Sequence, residues 1–246
     1  GHLIPLRDAQ RAISVLRSRA EEFGLDKNKI GIAGSSAGGH LAFNTTLSHE
    51  SRAYEKVDAL DGVSCRPDVT FLFYPAYLGS DMKVSEKLNF EALNSKTTPP
   101  IFISVASDDK FVRGSYAAMV KIKEAKVPSE FHVCHLGGHG GMFGKYPMLE
   151  YARTGIRFLN RHGFVDESTI SKSDAWLEKK KAEVIDKYRK VPEKAPSSSG
   201  NPPKPLTKSS YTLIEKSVEK LMDGAGAVYR LWPGDGTREE DPFKKG

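Results

Sequence analysis

Residues 31–43 read GIAGSSAGGHLAF and place four glycines, two serines and a histidine between an apolar run and the start of an apolar helical pattern. Within this stretch, residues 34–38 fit the pattern G-x-S-x-G. The pattern places its central residue, here Ser36, on a tight turn from a strand into a helix, where neighbouring side chains have to be small. We expect Gly34 and Gly38 to provide that room. The alternative is an ordinary glycine-rich loop that binds phosphate, although the Gly-Lys-Ser/Thr ending of a Walker loop is absent.

Strand and helix patterns alternate on both sides of this turn. Residues 29–33 form a short apolar run before it, and a helix is predicted from about Ala37 after it. Nearly unbroken apolar strands separated by helices are typical of a parallel sheet covered on both faces. The sequence therefore predicts an α/β fold with a doubly wound, mostly parallel sheet in residues 1–163. The other predicted strands are residues 69–74, 101–106 and 130–136, and the other predicted helices are residues 8–23, 115–123 and 148–160.

The composition changes after about residue 164. Residues 164–208 contain a charged helix, predicted at 173–190, followed by VPEKAPSSSGNPPKP, which is a linker by its proline, serine and glycine content. Residues 209–246 contain a second helical pattern at 211–222 and then the stretch AVYRLWPGDG. The chain is therefore predicted to hold one folded α/β unit and an extension.

The overall composition limits the classes of partner. The chain of 246 residues has a net charge of +6, but its basic residues alternate with acidic ones, as in EKKKAEVIDKYRK at 178–190. That mixture indicates a solvated helix face, with a nucleic-acid site as the alternative that no motif supports. No apolar run reaches the roughly 18 residues that a membrane helix needs. Cys65 and Cys134 belong to no CxxC or Cys/His cluster, so no zinc site is expected, and both thiols are expected to be buried.

A nucleophilic serine needs a base and a carboxylate that orients the base, and in one fold these follow along the chain in the order Ser, Asp or Glu, His. Ser-Asp-Asp at 107–109 follows the predicted strand IFISVA, and Gly-Gly-His-Gly-Gly at 137–141 follows the next predicted strand. Because the carboxyl ends of parallel strands lie at the same edge of a sheet, we expect Ser36, an aspartate and His139 to meet there. Taken singly, the aspartates could cap a helix and the histidine could be a surface residue.

Of the two aspartates, Asp109 is the expected partner of the histidine. It stands three residues before Val112, a D-x-x-V spacing common after this strand in α/β hydrolases. Asp108 is then expected to help cap the turn. The remaining histidines are expected to be structural or solvent-facing, and they are His2, His40, His49, His132, His135 and His162.

Several segments resemble one group of the α/β-hydrolase superfamily, the bacterial acetyl-esterase and acetylxylan-esterase-like serine esterases that are related to feruloyl esterases. The segments are DAQRAISVLRSRAEEFGLDKNKIGIAGSSAGGHLAF, CRPDVTFLFYPAYL, PPIFISVASDDKFV and VPSEFHVCHLGGHGGMFG, within about residues 5–163. The resemblance implies hydrolysis of short acyl esters of acetyl type, on plant polysaccharide or on small molecules, without a cofactor or metal. It also implies a secreted or periplasmic enzyme. Aryl-esterase and general carboxylesterase members of the group leave the ester itself open.

The resemblance also implies the roles of the residues. Ser36 would attack the ester carbonyl, His139 would take up its proton, and Asp109 would orient the imidazole. The backbone amide of Ala37 would donate one hydrogen bond to the oxyanion. A second donor comes from a glycine-rich HGGG-type loop in this fold, and residues 1–35 contain neither that loop nor the first strands of the sheet.

The stretch AVYRLWPGDG at 227–236 resembles the beginning of a hydrolase domain of the same group. We therefore expect the chain to run from the middle of one hydrolase unit into the start of a second, tandem unit, with a coincidental tail as the alternative. Two other functions stay open. One is an inactive hydrolase-like fragment that binds a ligand or partner. The other is a serine peptidase of the prolyl-oligopeptidase type, whose propeller domain and large aromatic residue beside the nucleophile are not found here. No nucleic-acid or membrane partner is expected.

Overall fold

The structure is a computed structural model that describes residues 3–134, 137–140 and 146–189, with residues 146–150 and 183–189 described by their backbone alone. The proline-rich linker, the helix predicted at 211–222 and the stretch at 227–236 lie outside the described residues. The proposed division of the chain at 163 and 208, and the tandem unit, therefore stay predictions.

Helices and strands alternate along the described chain. The helices are α1 (Leu3–Ser18), α2 (Ala37–Leu47), α3 (Val112–Glu124), α4 (Tyr146–Arg161) and α5 (Glu167–Arg189). The strands are β1 (Ile32–Ser35), β2 (Thr70–Phe73), β3 (Gly79–Ser80), β4 (Lys83–Val84), β5 (Ile101–Ala106) and β6 (Ser129–Cys134). Short 3₁₀ turns lie at Ala59–Gly62 and Phe90–Ala92.

Four of the strands form one sheet in the order β1-β2-β5-β6, and every neighbouring pair is parallel. The small β3–β4 hairpin is separate and antiparallel. The predicted parallel sheet is thus confirmed. Since all four strands run the same way, the loops that follow β1, β5 and β6 emerge at a single edge of the sheet.

Apolar side chains cover both faces of this sheet. On one face, Leu72, Ile101 and Ile103 pack with residues of α2 and α3, including Phe43 and Ile122. On the other face, Val69, Phe71 and Phe102 pack around Phe158 of α4. Every residue of β5 is buried, which explains why the sequence of this central strand reads as an unbroken apolar run.

Several predicted boundaries differ from the structure, and the first helix already begins at Leu3. The helix predicted at 8–23 ends at Ser18 and is followed by turns, whose bonds from the Arg19 amide to Val15 and from the Phe23 amide to Arg19 keep helical spacing. The apolar spacing of these turns is close to that of a helix, which is why the sequence predicts a longer helix than the structure has. The strand predicted at 29–33 lies at Ile32–Ser35, because the ladder to β2 begins where the Ile32 amide donates to the Val69 carbonyl.

The first helix is attached to the loop after α2 by a buried ionic cluster. The guanidinium of Arg11, almost inaccessible to solvent, bonds to Asp58 at 2.6 Å and to Asp61 at 3.0 Å. Asp61 also accepts from the Tyr54 hydroxyl at 2.6 Å and lies 3.5 Å from Arg52. Burial, helped by the bond to Asp61, raises the pKa of Tyr54 to about 12, so its hydroxyl stays a donor.

This cluster predicts loss of stability in acid. Burial alone would raise the pKa of Asp61, but hydrogen bonds from Tyr54 and Val57 and two guanidinium charges lower it overall. A carboxylate whose pKa is lowered by folding stabilises the fold above its unfolded pKa of about 4, and that contribution disappears as the pH falls through the folded pKa. Asp61→Asn should cost about 3 kcal/mol at pH 7, since it removes the buried negative charge that Arg11 and Arg52 share, although Arg11 keeps its bond to Asp58. Urea unfolding from pH 7 to pH 2 should show a shallower pH dependence for the variant, and equal slopes would contradict this assignment.

The charged helix predicted at 173–190 begins earlier, at Glu167, and α5 is attached to α4. Arg153 pairs with Glu178, and Arg157 bonds to Asp174 at 3.0 Å. Leu177 of α5 is buried. Among the described residues, no helix is long and apolar enough to cross a membrane.

Within the described part of the chain, β1 is an edge strand that pairs with β2 alone. A mostly apolar groove of about 350 Å³ runs beside it, lined by Lys29, Gly31, Ile32, Ala33, Val69, Phe71, Leu159, Phe164 and Val165. None of Ser36, Asp109 and His139 lines this groove. Its walls are mainly apolar side chains of β1, of β2 and of the residues that pack against them.

Candidate active site

Ser36 lies between the end of β1 and the first residue of α2, at φ 54° and ψ −120°. A positive φ is strained for a side-chain-bearing residue and persists only where the surroundings hold it. Here the Ser36 amide donates to the Phe73 carbonyl at 3.0 Å. The Ser36 carbonyl accepts from the amides of Ala76 at 3.0 Å and His40 at 3.2 Å. These three bonds fix the turn, so the side chain projects from a rigid backbone.

The glycines around this turn have unequal roles. A Cβ on Gly34 would lie 2.0 Å from the carbonyl oxygen of Gly38, so this position accepts no side chain. A Cβ on Gly39 would lie 2.9 Å from the Pro75 Cβ. A Cβ on Gly38 would have nothing within 4 Å. The expectation that Gly34 and Gly38 both provide room is therefore wrong for Gly38, and Gly39 is the second crowded position.

The loops after β1, β5 and β6 bring three predicted residues together. The Ser36 Oγ lies 2.7 Å from the His139 Nε2. The His139 Nδ1 lies 2.9 Å and 3.1 Å from the two carboxylate oxygens of Asp109. The Asp109 side chain is fully buried, whereas 24% of the His139 side chain is exposed. A continuous chain of hydrogen bonds thus leads from a buried carboxylate to a hydroxyl at the surface of the turn.

This arrangement sets the proton positions on the imidazole. An ionised carboxylate only accepts hydrogen bonds, so Asp109 favours the tautomer in which Nδ1 carries the proton. The Nε2 of His139 then accepts from the Ser36 hydroxyl. Asp109 is itself held by the turn it starts, because its Oδ1 accepts from the Phe111 amide at 2.8 Å.

Two aromatic rings flank the imidazole. The Phe111 ring lies 4.9 Å from His139 and the Tyr74 ring 5.3 Å, both in edge-to-face geometry. Gly138 and Gly140, on either side of His139, have φ of 58° and 77°. The glycines allow the tight loop, and the rings limit the rotation of the imidazole within it.

Asp108 has a different role from the one expected. Its Oδ1 accepts from the amides of Gly137 at 2.9 Å and Gly138 at 2.8 Å, directly before His139. The turn amide of Phe111 goes to Asp109 instead. The sequence carries little sign of this contact, since about 30 residues separate a carboxylate from two unremarkable glycine amides. Asp108 therefore ties the loop after β6 to the loop after β5.

Asp108→Ala should lower kcat by about 10- to 100-fold with little change in KM, because the loop that carries His139 loses its anchor and small displacements are costly. Asp108→Asn keeps an oxygen that accepts both amides and should recover most of the rate. Steady-state kinetics with a soluble acetyl ester would measure both variants. An Asn variant as slow as the Ala variant would show that charge, not loop anchoring, is what Asp108 supplies.

Ala37, predicted to donate to the oxyanion, is the exposed first residue of α2. Amides in the first turn of a helix have no partner within the helix and carry the positive end of its dipole. Its position directly after Ser36 suits a negative charge that forms beside the serine oxygen. No HGGG-type loop that could supply a second donor occurs in residues 3–134.

The other polar candidates are distant or engaged elsewhere. His40 is buried on α2, His49 bonds to the Thr46 carbonyl, and His132 stacks on Phe102. Cys65 is buried as expected, but Cys134 is only partly so, and the two form no disulfide. In the described parts of the chain, no group of three or more His, Cys, Asp and Glu residues could hold a metal ion.

Comparison with known proteins finds a family model and curated relatives that match part of the chain. The BD-FAE family model matches residues 4–69. The chain is 29% identical over 157 residues to endo-1,4-beta-xylanase B of Butyrivibrio fibrisolvens, covering 56% of this chain and 25% of that protein. It is 27% identical over 170 residues to an acetylxylan esterase of Xylanibacter ruminicola, covering 58% of this chain and 32% of that protein.

Solved structures agree with these relatives. An acetyl ester-xyloside bifunctional hydrolase from Caldicellulosiruptor lactoaceticus superposes with a TM-score of 0.55 at 29% identity, covering 65% of this chain and 66% of that one. A propionate-bound esterase from Thermogutta terrifontis also gives 0.55, with 65% of each chain covered, and at 23% identity it indicates the fold alone. The matched part of the chain spans about a quarter to a third of the length of the two curated relatives. The chain has an α/β-hydrolase fold and is similar to acetylxylan esterases.

Proposed function

We propose that this protein hydrolyses carboxylic esters with Ser36 as nucleophile, His139 as general base and acid, and Asp109 as the carboxylate that orients the imidazole. The proposal rests above all on the unbroken hydrogen-bond chain from Asp109 through His139 to the Ser36 Oγ. The strained turn that carries Ser36 and the similarity to acetylxylan esterases support it.

The reaction proceeds in two halves. The Ser36 Oγ attacks the acyl carbon while its proton passes to the His139 Nε2. The bond from the acyl carbon to the alcohol oxygen then breaks, and Nε2 returns its proton to that oxygen. Water attacks the acyl-serine in the second half, gives a proton to Nε2, and the acid leaves as the proton returns to Ser36. The Ala37 amide would stabilise the oxyanion in both halves, and Asp109 would stabilise the imidazolium without taking a proton itself.

Acetyl groups on xylan or on xylo-oligosaccharides are the substrates we propose. The support is the similarity to an acetylxylan esterase and to an acetyl ester-xyloside hydrolase. A short acyl group also fits a nucleophile whose imidazole partner is flanked by two aromatic rings, because these limit the space beside it. The alcohol part would then extend away from Ser36 over the surface.

Covalent labelling tests the nucleophile separately from the substrate. A dialkyl aryl phosphate should phosphorylate Ser36, since an activated serine oxygen displaces the aryl alcohol, and peptide mass spectrometry would locate the added phosphate ester. Labelling should stop acetate release from acetylated xylo-oligosaccharides in parallel with the extent of modification. Full acetate release from completely labelled protein would refute the proposal, and labelling at another residue would refute the assignment of Ser36.

A further inference from the structure

The segment between β2 and the β3–β4 hairpin is unusually strained. Among the described residues, six that are not glycine have a positive φ. Four of these six lie in this segment or in the hairpin itself: Tyr74, Tyr77, Asp81 and Met82. Asp81 and Met82 form the two-residue turn of the hairpin, where positive φ is the rule. Tyr77, at φ 61°, has no such turn to explain it. Strain of this kind is concentrated at functional sites, where surrounding structure holds it in place.

Tyr77 is fixed beside the candidate active site by its neighbours. The amide of the preceding residue, Ala76, donates to the carbonyl of Ser36 at 3.0 Å. The Tyr77 ring lies 5.0 Å from the Phe111 ring in edge-to-face geometry, and Phe111 in turn contacts the His139 imidazole. On its other side the ring lies 6.3 Å from buried His40. The ring is therefore placed one side chain away from the imidazole.

Despite these contacts, 54% of Tyr77 is exposed. The residues on either side of it, Ala76 and Leu78, are buried, so the strained backbone leaves the Tyr77 ring at the surface. A charged group also belongs to this aromatic surface, since the Lys110 ammonium lies 5.0 Å from the centre of the Phe111 ring that Tyr77 contacts. The surface thus combines an aromatic face with a hydrogen-bonding group at its edge.

We infer that the exposed ring of Tyr77 is a subsite for a sugar ring in the alcohol part of the ester. This inference rests on the proposed function and adds where the alcohol lies. One face of a pyranose ring carries C–H groups that match the electron-rich face of an aromatic ring, while its hydroxyls point outward to polar groups. A long acyl chain would favour a continuous apolar surface, and the Lys110 ammonium beside the Phe111 ring argues against one. The sequence gives no sign of this role, since Tyr77 lies after the predicted strand 69–74 and carries no motif.

The test compares esters with and without a sugar ring. Tyr77→Asn removes the ring but keeps a residue that tolerates positive φ. We expect its KM for acetylated xylotriose to rise about 3- to 10-fold, the range of an aromatic contact, with kcat/KM for methyl acetate within about 2-fold of the wild type. Tyr77→Phe keeps the ring and should match the wild type on both esters. Trp176→Gln, at an exposed aromatic residue of α5, is the control for loss of any surface ring.

Binding measured without turnover separates this inference from the proposed function. Saturation-transfer NMR should detect binding of acetylated xylotriose to the Ser36→Ala protein. The signal should be weaker for the double variant that carries both Ser36→Ala and Tyr77→Asn. If the protein cleaves no ester, the proposed function fails while the binding signal still reports on Tyr77. Equal losses on methyl acetate and the sugar ester, or binding that is unchanged by Tyr77→Asn, would overturn the sugar subsite.

Discussion

Ser36→Ala is expected to reduce kcat for a soluble acetyl ester by about 10⁴- to 10⁶-fold, the scale found when the nucleophile of such a group is removed. The variant keeps the backbone bonds that hold the turn, because all three involve the amide or carbonyl of Ser36. Only the Oγ and its 2.7 Å contact with His139 are lost. Folding should therefore be unchanged, and the activity that remains should come from substrate binding and oxyanion stabilisation alone.

Ser35→Ala is the matched control for this prediction. Ser35 is the last residue of β1 and pairs with Phe73 of β2. Its substitution by alanine removes the same hydroxyl group, one position earlier in the chain. Its acetyl esterase activity should stay within about 3-fold of the wild type, because the His139 Nε2 bonds to the hydroxyl of Ser36 and not to that of Ser35. Comparable losses in the two variants, or substantial activity in Ser36→Ala measured at matched protein concentration, would remove Ser36 from the proposed role.

The residues of the candidate site could be predicted from the sequence because each carries a local signal. Ser36 lies in a motif at a strand-to-helix junction, and Asp109 and His139 follow directly on apolar strands. A parallel sheet then brings strand ends together, whatever the lengths of the connections. The positions of these residues after three strands of a parallel sheet were therefore enough to predict that they lie close together.

Other features depend on contacts between distant segments, which local patterns do not record. Asp108 anchors the histidine loop through backbone amides that any residue could provide. The ionic cluster of Arg11 joins a helix to a loop about 50 residues away and reads in the sequence as ordinary surface charge. Tyr77 lies after the predicted strand 69–74, and nothing near it in the sequence indicates that its half-exposed ring contacts Phe111. Each of these residues was decided by tertiary packing.

The two glycines of the motif, Gly34 and Gly38, also differ in a way that the sequence does not show, and the difference predicts a large loss of stability for one substitution. The pattern G-x-S-x-G treats the two glycines alike, but a Cβ would lie 2.0 Å from a backbone oxygen at Gly34 and in open space at Gly38. Backbone atoms cannot move aside as the end of a side chain can. Gly34→Ala should therefore destabilise the protein by about 3 kcal/mol or more, with a fall in Tm of roughly 6–12 °C.

Gly38→Ala provides the matched comparison, since the same methyl group is added four residues later. Gly38 is the second residue of α2, where alanine is the better helix former, so stability should be unchanged or higher by up to about 1 kcal/mol. Thermal and urea unfolding of the two variants side by side would measure the difference. A stable Gly34→Ala protein would mean that the turn can open without cost. The close approach of Gly34 to the Gly38 carbonyl oxygen would then not be a requirement of the fold.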